Sequence, residues 1–271
     1  MKKFLTIMMT AVLLLTACLG LTACKGGDEV VNIRTKTISV GYTDYAPMNY
    51  KDDDGVLVGF DTELALMVFN ALGYEVKFTL IDWSNKYLEL ESDNIQCIWN
   101  GFTANVKDDD GIERADKVDF SIPYMQNAQC VVRKQTASNV TAWADFAGKT
   151  VAYESGSAAD SLVATETKDI SVNTKPVTSQ MDAIREVNAG TADFAVVDIL
   201  LAEEICGKGD YENLAVNAGL EIAAEYYAIG FKKDSELVDK VNFMLYVFCE
   251  TGQLGELAEK YGLETKLMIQ P

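Results

Sequence analysis

The chain has 271 residues, 49% of them apolar, enough for one large or two ordinary domains and too many for a small disulfide-stapled scaffold. Its formal charge of −18 repels phosphate backbones and anionic membrane surfaces, and no basic patch relieves that field, so nucleic acid is excluded as a partner. Histidine is absent, which removes the commonest general base near neutral pH and the commonest zinc ligand, so enzymatic and metal-centred functions start at a disadvantage.

Met1, Lys2 and Lys3 precede an apolar run over residues 4–17, and Gly20 interrupts any membrane span, so residues 1–23 read as an export signal that is processed, not folded. Leu21-Thr22-Ala23-Cys24 resembles the bacterial lipobox, in which the cysteine thiol is acylated and becomes the new N-terminus. Leu15-Thr16-Ala17-Cys18 fits the same pattern. Cys24 is favoured because Lys25-Gly26-Gly27-Asp28 opens a polar tether, residues 24–36, and Cys18 is the alternative. The expected location is extracytoplasmic, lipid-anchored to the bacterial cell membrane. Export permits disulfides, but Cys97, Cys130, Cys206 and Cys249 each sit in an apolar run and read as buried free thiols.

After the tether, residues 37–42 alternate as a strand, and a helix follows with Asp61 as its cap, Leu64, Met67, Val68, Ala71 and Leu72 on its apolar face, and Gly73 at its end. A second strand carries Val76, Phe78 and Leu80 on one face. A helix around residues 87–90 and a strand over 95–99 complete a β-α-β-α-β unit. The order recurs: strand 149–153, helix from Ser157, strand 171–174, helix from Ser179 through Ile184 and Val187, strand 192–197. Residues 128–133 and 226–231 are extended segments suited to crossing between two α/β lobes. The chain ends in two helices, the first with Leu237, Val238, Val241, Met244, Leu245 and Phe248 on one stripe and Gly252 as its stop, the second with Leu254, Leu257, Ala258 and Tyr261. If these return to the first lobe, that lobe comprises residues 37–132 plus 226–271, the second comprises 133–225, and a two-strand hinge joins them around a cleft.

In open parallel sheets, ligands bind beyond the carboxyl ends of the strands. There this chain places Thr43-Asp44-Tyr45-Ala46-Pro47, Asp82-Trp83 and Asn100-Gly101-Phe102-Thr103 in the first lobe, and Glu154-Ser155-Gly156-Ser157 and Asp198 in the second. Together they suit a zwitterion. Gly156 lets a ligand approach the backbone, and a helix starting near Ser157 offers free N–H groups to a carboxylate. Arg114, one of only four arginines, would add a planar fork of donors, and Asp198 a counter-charge for an ammonium group. Tyr45 and Trp83 would wall the side chain. Each also has an ordinary structural role open to it: Asp198 and Ser157 as helix caps, and Tyr45, Trp83 and Trp99 as core.

The segments "YAPMNYKDDDGVLVGFDTELA", "WNGFT", "ERADKVDFSIPY", "AGKTVAYESGSAA" and "NAGTADFAVVD", with "YAIGFKK", "LVDKVN" and "GQLGELAEKYG", resemble the extracellular solute-binding proteins of family 3, the polar amino acid receptors of ABC importers. The resemblance covers essentially everything after the tether. It implies a type II periplasmic-binding-protein-like α/β fold, two lobes each with a parallel-rich sheet flanked by helices. They would close on a free amino acid that is then delivered to a membrane permease. It further implies that Gly101, Thr103, Arg114 and Ser157 hold the α-carboxylate, that Asp198 takes the α-amino group, and that Tyr45 and Trp83 cover the side chain; Asn100, beside Gly101, is a further ligand-binding candidate. No cofactor and no metal are implied, and a monomer is the expected state. Two departures stand out. The insert "VKDDDG" lengthens the loop before Arg114 by about six residues, and Ala158 occupies a position that often carries a second hydroxyl.

Asp52-Asp53-Asp54-Gly55 and Asp108-Asp109-Asp110-Gly111 mimic calcium loops, but aligning each glycine to its loop position puts Tyr50 and Val106 where the first carboxylate is needed, so both read as solvated turns. Gly148-Lys149-Thr150 mimics a phosphate loop, yet Trp143 replaces its first glycine and the triplet precedes a strand. Two other functions fit the same fold: a sensory domain acting through a membrane partner, and a dehydratase-like enzyme using Asp44, Asp82, Glu154 or Asp198 as its acid or base. The amino acid itself stays open, since Asp44 favours a cationic side chain and the aromatic pair favours glutamine or cystine.

Overall fold

The computed structural model describes residues 36–270. The export signal, both lipobox cysteines and all of the tether but Lys36 lie outside the described residues.

Thirteen strands and eight α-helices follow in the described chain, linked by short 3₁₀ turns. The first sheet takes β1 (Lys36–Tyr42) and, after the small hairpin of β2 (Tyr50–Lys51) and β3 (Leu57–Val58), the helix α1 (Phe60–Ala71) and β4 (Tyr74–Leu80). Then come α2 (Lys86–Glu91), β5 (Cys97–Ile98), the short α3 (Arg114–Lys117) and β6 (Asp119–Phe120). The second sheet takes β7 (Met125–Lys134), β8 (Thr150–Glu154), α4 (Ala158–Glu166), β9 (Asn173–Val177), α5 (Gln180–Ala189), β10 (Phe194–Asp198), α6 (Ile199–Ile205), β11 (Leu214–Val216) and β12 (Ala224–Tyr227). The chain then returns through β13 (Gly230–Phe231) to α7 (Leu237–Glu250) and α8 (Gln253–Lys260).

The first sheet runs β4-β1-β5-β13-β6, with β1 parallel to β4 and β5, and β13 antiparallel to β5 and β6. The second runs β11-β7-β10-β8-β9, with β10, β8 and β9 parallel and β7 antiparallel to β10; β12 pairs with the start of β7. Two parallel-rich sheets flanked by helices are the α/β architecture that the alternating pattern predicts. The chain passes from β6 to β7 and from β12 to β13 side by side, tied by the Ser121 and Tyr124 amides donating to Ile229 O and Tyr227 O at 2.9 Å each.

Helix α1 buries Phe60, Leu64, Ala65, Val68 and Phe69, a spacing that puts one stripe on the sheet, and Gly73 at φ 80 turns the chain out of it. On α7 the stripe is Val241, Leu245 and Phe248, and Gly252 at φ 80 ends it. Both C-terminal helices pack on α1. The Tyr261 hydroxyl donates to Glu63 at 2.5 Å and accepts from the Gly59 amide at 3.0 Å, while Lys260 pairs with Glu63 at 2.7 Å.

Four local expectations are corrected. Asp61 does not cap α1: Gly59 holds the cap position, and the Asp61 carboxylate is buried, accepting from the Gly101 amide and the Tyr124 hydroxyl at 2.8 Å. Leu80, expected on the buried face of β4, is 65% exposed because the strand ends there, whereas Val76 and Phe78 do pack on the core. The strand expected at 171–174 runs over Asn173–Val177, with Pro176 tolerated because β9 is an edge strand. The triplet 52–54 is an exposed turn, Asp52 accepting from the Asp54 and Val56 amides, but in the second triplet Asp109 and Asp110 alone are exposed and Asp108 is buried. The four cysteines in the described residues are free. No described helix is long and apolar enough to cross a membrane.

Candidate functional site

The carboxyl ends of β5, β8 and β10 and the residues that follow them meet around a narrow, nearly filled cavity lined by Trp83, Asn100, Gly101, Thr103, Arg114, Glu154, Ser157, Ala158, Gln180 and Asp198. Seven of the eight residues expected at the site are on that wall. The eighth, Tyr45, is 2% exposed and packs beneath Gly101, its hydroxyl 2.6 Å from that of Tyr227. It is not among the residues of the cavity wall.

Arg114 is 1% exposed and fixed from three directions. Nε donates to Asp108 Oδ1 at 2.8 Å, one terminal nitrogen donates to Thr103 O at 3.0 Å, and the other reaches Gly156 O at 3.3 Å. The guanidinium lies over the Phe102 ring at 5.1 Å. A guanidinium carries five N–H donors, so two remain for a ligand. The insert supplies the counter-ion: the loop folds back through Arg114 N to Val106 O and Asp108 N to Ile112 O, which carries Asp108 inward. Asp108 also accepts from the Tyr87 hydroxyl at 2.6 Å and from Lys117 at 2.9 Å. Burial alone would raise its pKa, but the Arg114 charge and these donors hold it down at about 2.

Asp198 occupies the N-cap position of α6, yet its carboxylate makes no cap bond. It turns instead to three amide side chains: Asn127 at 2.8 Å, Gln129 at 2.5 Å and Gln180 at 2.6 Å. Its burial raises the carboxyl pKa, and the three amides work against that rise. Glu225 on β12 shares Asn127 and Gln129 with it and accepts from the Thr103 hydroxyl at 3.2 Å; burial, then the Asp198 charge, pushes its pKa up to about 7.

Ser157 is the N-cap of α4, its hydroxyl oxygen accepting from the Asp160 amide at 3.3 Å. That leaves its hydroxyl hydrogen, and the amides of Ala158 and Ala159 at the helix start, without a partner among the described residues. Gly156, expected to admit a ligand, is instead approached by the first lobe's chain: a Cβ there would lie 3.3 Å from Ser84 Cα, and Lys86 Nζ donates to Gly156 O at 2.9 Å. Lys86 is buried over the rings of Trp83 and Tyr87, and burial followed by the Arg114 charge lowers its pKa to about 7.

Gly101 also differs in detail from expectation. Its amide donates to Asp61 and is therefore not free for a carboxylate. Asn100 spends its side chain on Thr43 and Asn49 and shapes the loop. Asp44 and Asp82 are exposed and outside the cavity. Sequence reasoning missed Asp108, Gln180, Asn127 and Gln129 as supports. The signal for Gln180 was present, one residue after a serine cap and following a strand end. No group of three or more cysteine, aspartate or glutamate side chains in the described residues is arranged to hold a metal.

Similar proteins agree on the architecture. The chain is 29% identical over 261 residues to the arginine-binding extracellular protein ArtP of Bacillus subtilis, covering 96% of this chain and 98% of that one. An ancestral arginine-binding protein solved with arginine superposes with a TM-score of 0.76 at 30% identity, covering 83% of this chain and 97% of that one. A Streptococcus pneumoniae ABC uptake transporter substrate-binding protein solved with histidine gives 0.76 at 29%, covering 86% and 95%. A weaker likeness, 22% over 166 residues, is to a cyclohexadienyl dehydratase of Pseudomonas aeruginosa, covering 59% of this chain and 58% of that one. The family model for bacterial extracellular solute-binding proteins, family 3, matches residues 38–264, and the chain belongs to that family.

Proposed function

We propose that this chain is the capture component of an ABC importer and that it holds a free polar amino acid in the cavity between its two sheets. The observation that carries the reading is polarity. A buried guanidinium from the short helix α3 and a buried carboxylate at the end of β10 line one cavity. The α-carboxylate takes the two uncommitted donors of Arg114, the Ser157 hydroxyl and the Ala158 amide, where the α4 dipole adds to the attraction. The α-ammonium takes Asp198 and the Gly101 carbonyl, with Trp83 lying against the side chain.

In this reading residues 37–132 with 226–271 form one lobe and 133–225 the other, and bending at the paired crossings opens and shuts the cavity. Arg114 and Lys86 both reach Gly156 O across that boundary, which supports a shut state held partly by the protein itself. A monomer, tethered outside the cell membrane by an acylated Cys24, would hand its ligand to a membrane permease. Mass spectrometry of the mature N-terminus checks the anchor: an acylated Cys24 is expected, and an unmodified terminus beyond residue 24 contradicts it.

Calorimetric titration against the common amino acids tests the site. Hydrogen bonds to charged groups contribute about 1.5–3 kcal/mol each, so Arg114→Ala is expected to weaken binding of the best ligand roughly a hundredfold. Arg114→Lys keeps the charge beside Asp108 but loses the fork, and should weaken binding by at least tenfold in a folded protein. Near-normal affinity in both removes Arg114 from the site. The likeness to a dehydratase, with Glu154 as a buried acid, supports a second reading as an enzyme; a ligand recovered unchanged after long incubation argues against it.

A further inference from the structure

Assigning Arg114 and Asp198 to the two ends of an amino acid backbone leaves one ionisable group on the cavity wall without a task. Glu154 is the last residue of β8 and is 3% exposed. Its Oε1 is buried with no hydrogen-bond partner among the described residues. Burial first, and the Asp198 charge second, push its pKa well up, with Asp82 adding to the rise and Lys86 and Arg114 opposing it.

Neither cation is free to pair with it. Lys86 directs its ammonium to Gly156 O at 2.9 Å and Trp83 O at 3.4 Å and lies over two aromatic rings. Arg114 is neutralised by Asp108. The wall therefore carries two carboxyl groups against one guanidinium that already has its counter-ion. A zwitterion brings no net charge, so a ligand with a neutral side chain leaves that excess of acid in place. Either a proton held on Glu154 or a third, positive group on the ligand offsets it, and the ligand group that displaces the proton gains a charged contact in a buried place.

We infer that Glu154 selects the ligand by charge, accepting a guanidinium or ammonium group from the side chain of a cationic amino acid on its free carboxylate oxygen. The inference rests on the reading of the cavity as an amino acid site. It adds the side-chain class, which Asp44 does not supply because that residue stands outside the wall.

Titration of the purified chain with arginine and with citrulline separates the two. Citrulline keeps the length and the zwitterion and replaces the guanidinium with a neutral urea. One charged hydrogen-bonded contact corresponds to about ten- to a hundredfold in affinity, so citrulline should bind that much more weakly than arginine. In Glu154→Gln, an isosteric change, arginine should weaken and citrulline should not, which closes the gap. A lysine and glutamine pair repeats the comparison with an ammonium. The inference is overturned if arginine and citrulline bind wild type equally, if the preference survives in Glu154→Gln, or if the tightest ligand is neutral or acidic. In those cases the amino acid site itself stands. If no common amino acid binds, the reading of the cavity fails and this inference goes with it.

Discussion

Asp108 and Arg114 form the most buried ion pair in the described chain, and each is useful only because the other is present. A buried guanidinium needs a permanent partner, or the desolvation penalty falls on the protein alone. Because the Asp108 pKa sits below the ordinary carboxylate value, its stabilising contribution is complete above about pH 4 and is lost as pH falls through about 2. Asp108→Asn should therefore lower stability at pH 7 by about 1–2 kcal/mol, a figure discounted because Lys117 and Asp110 bring solvent to the pair's outer side. Thermal melts should show a deficit of a few degrees at pH 7 that closes near pH 2, and equal melting at both pH values contradicts the role. Arg114 was legible in the sequence because a buried anion needs a fixed cation and few candidates exist. Asp108 was not, since an aspartate triplet before glycine has the composition of a solvated turn, and its burial follows only from the loop folding back on itself.

At the scale of the element, strand alternation and helical stripes were readable because each element buries one face, and their caps were readable at Ser157 and Ser179. What local pattern could not show was which polar groups cross from one element to another. Asp61 looks like a helix cap from its neighbours alone, yet its partners, Gly101 and Tyr124, lie on other elements. That bond holds the turn after β5 in a left-handed conformation, Gly101 at φ 56, and a Cβ there would come within 2.5 Å of Tyr45 Cε1 and 3.1 Å of Tyr227. Gly101→Ala should thus cost about 2–4 kcal/mol from backbone strain and overpacking. Denaturant unfolding measures it: a lower midpoint at unchanged slope is expected, and an unshifted midpoint contradicts the packing of this turn on the two tyrosines. Glu154 shows the same limit from the other side. It stood at a strand end in the sequence, but only the structure reveals that its Oε1 has no hydrogen-bond partner among the described residues.

At the scale of the molecule, the repeated β-α-β-α-β order and the apolar stripes of the last two helices sufficed to foresee two sheets and a return of the chain to the first. In the proposed reading, the function resides in the relation between those sheets. Arg114 precedes β6 of one sheet and Asp198 ends β10 of the other, so a ligand with separated charges is the natural bridge between them. The first half presents a guanidinium to the cavity and the second half carboxyl groups, and a molecule with a single pole would engage one side and leave the other unmet. Titration of the tightest-binding amino acid beside its decarboxylated amine and its N-acetylated form tests that two-ended grip most directly. Losses of at least tenfold for both analogues are predicted, one through Arg114 and one through Asp198. An analogue that binds as well as the parent amino acid contradicts it.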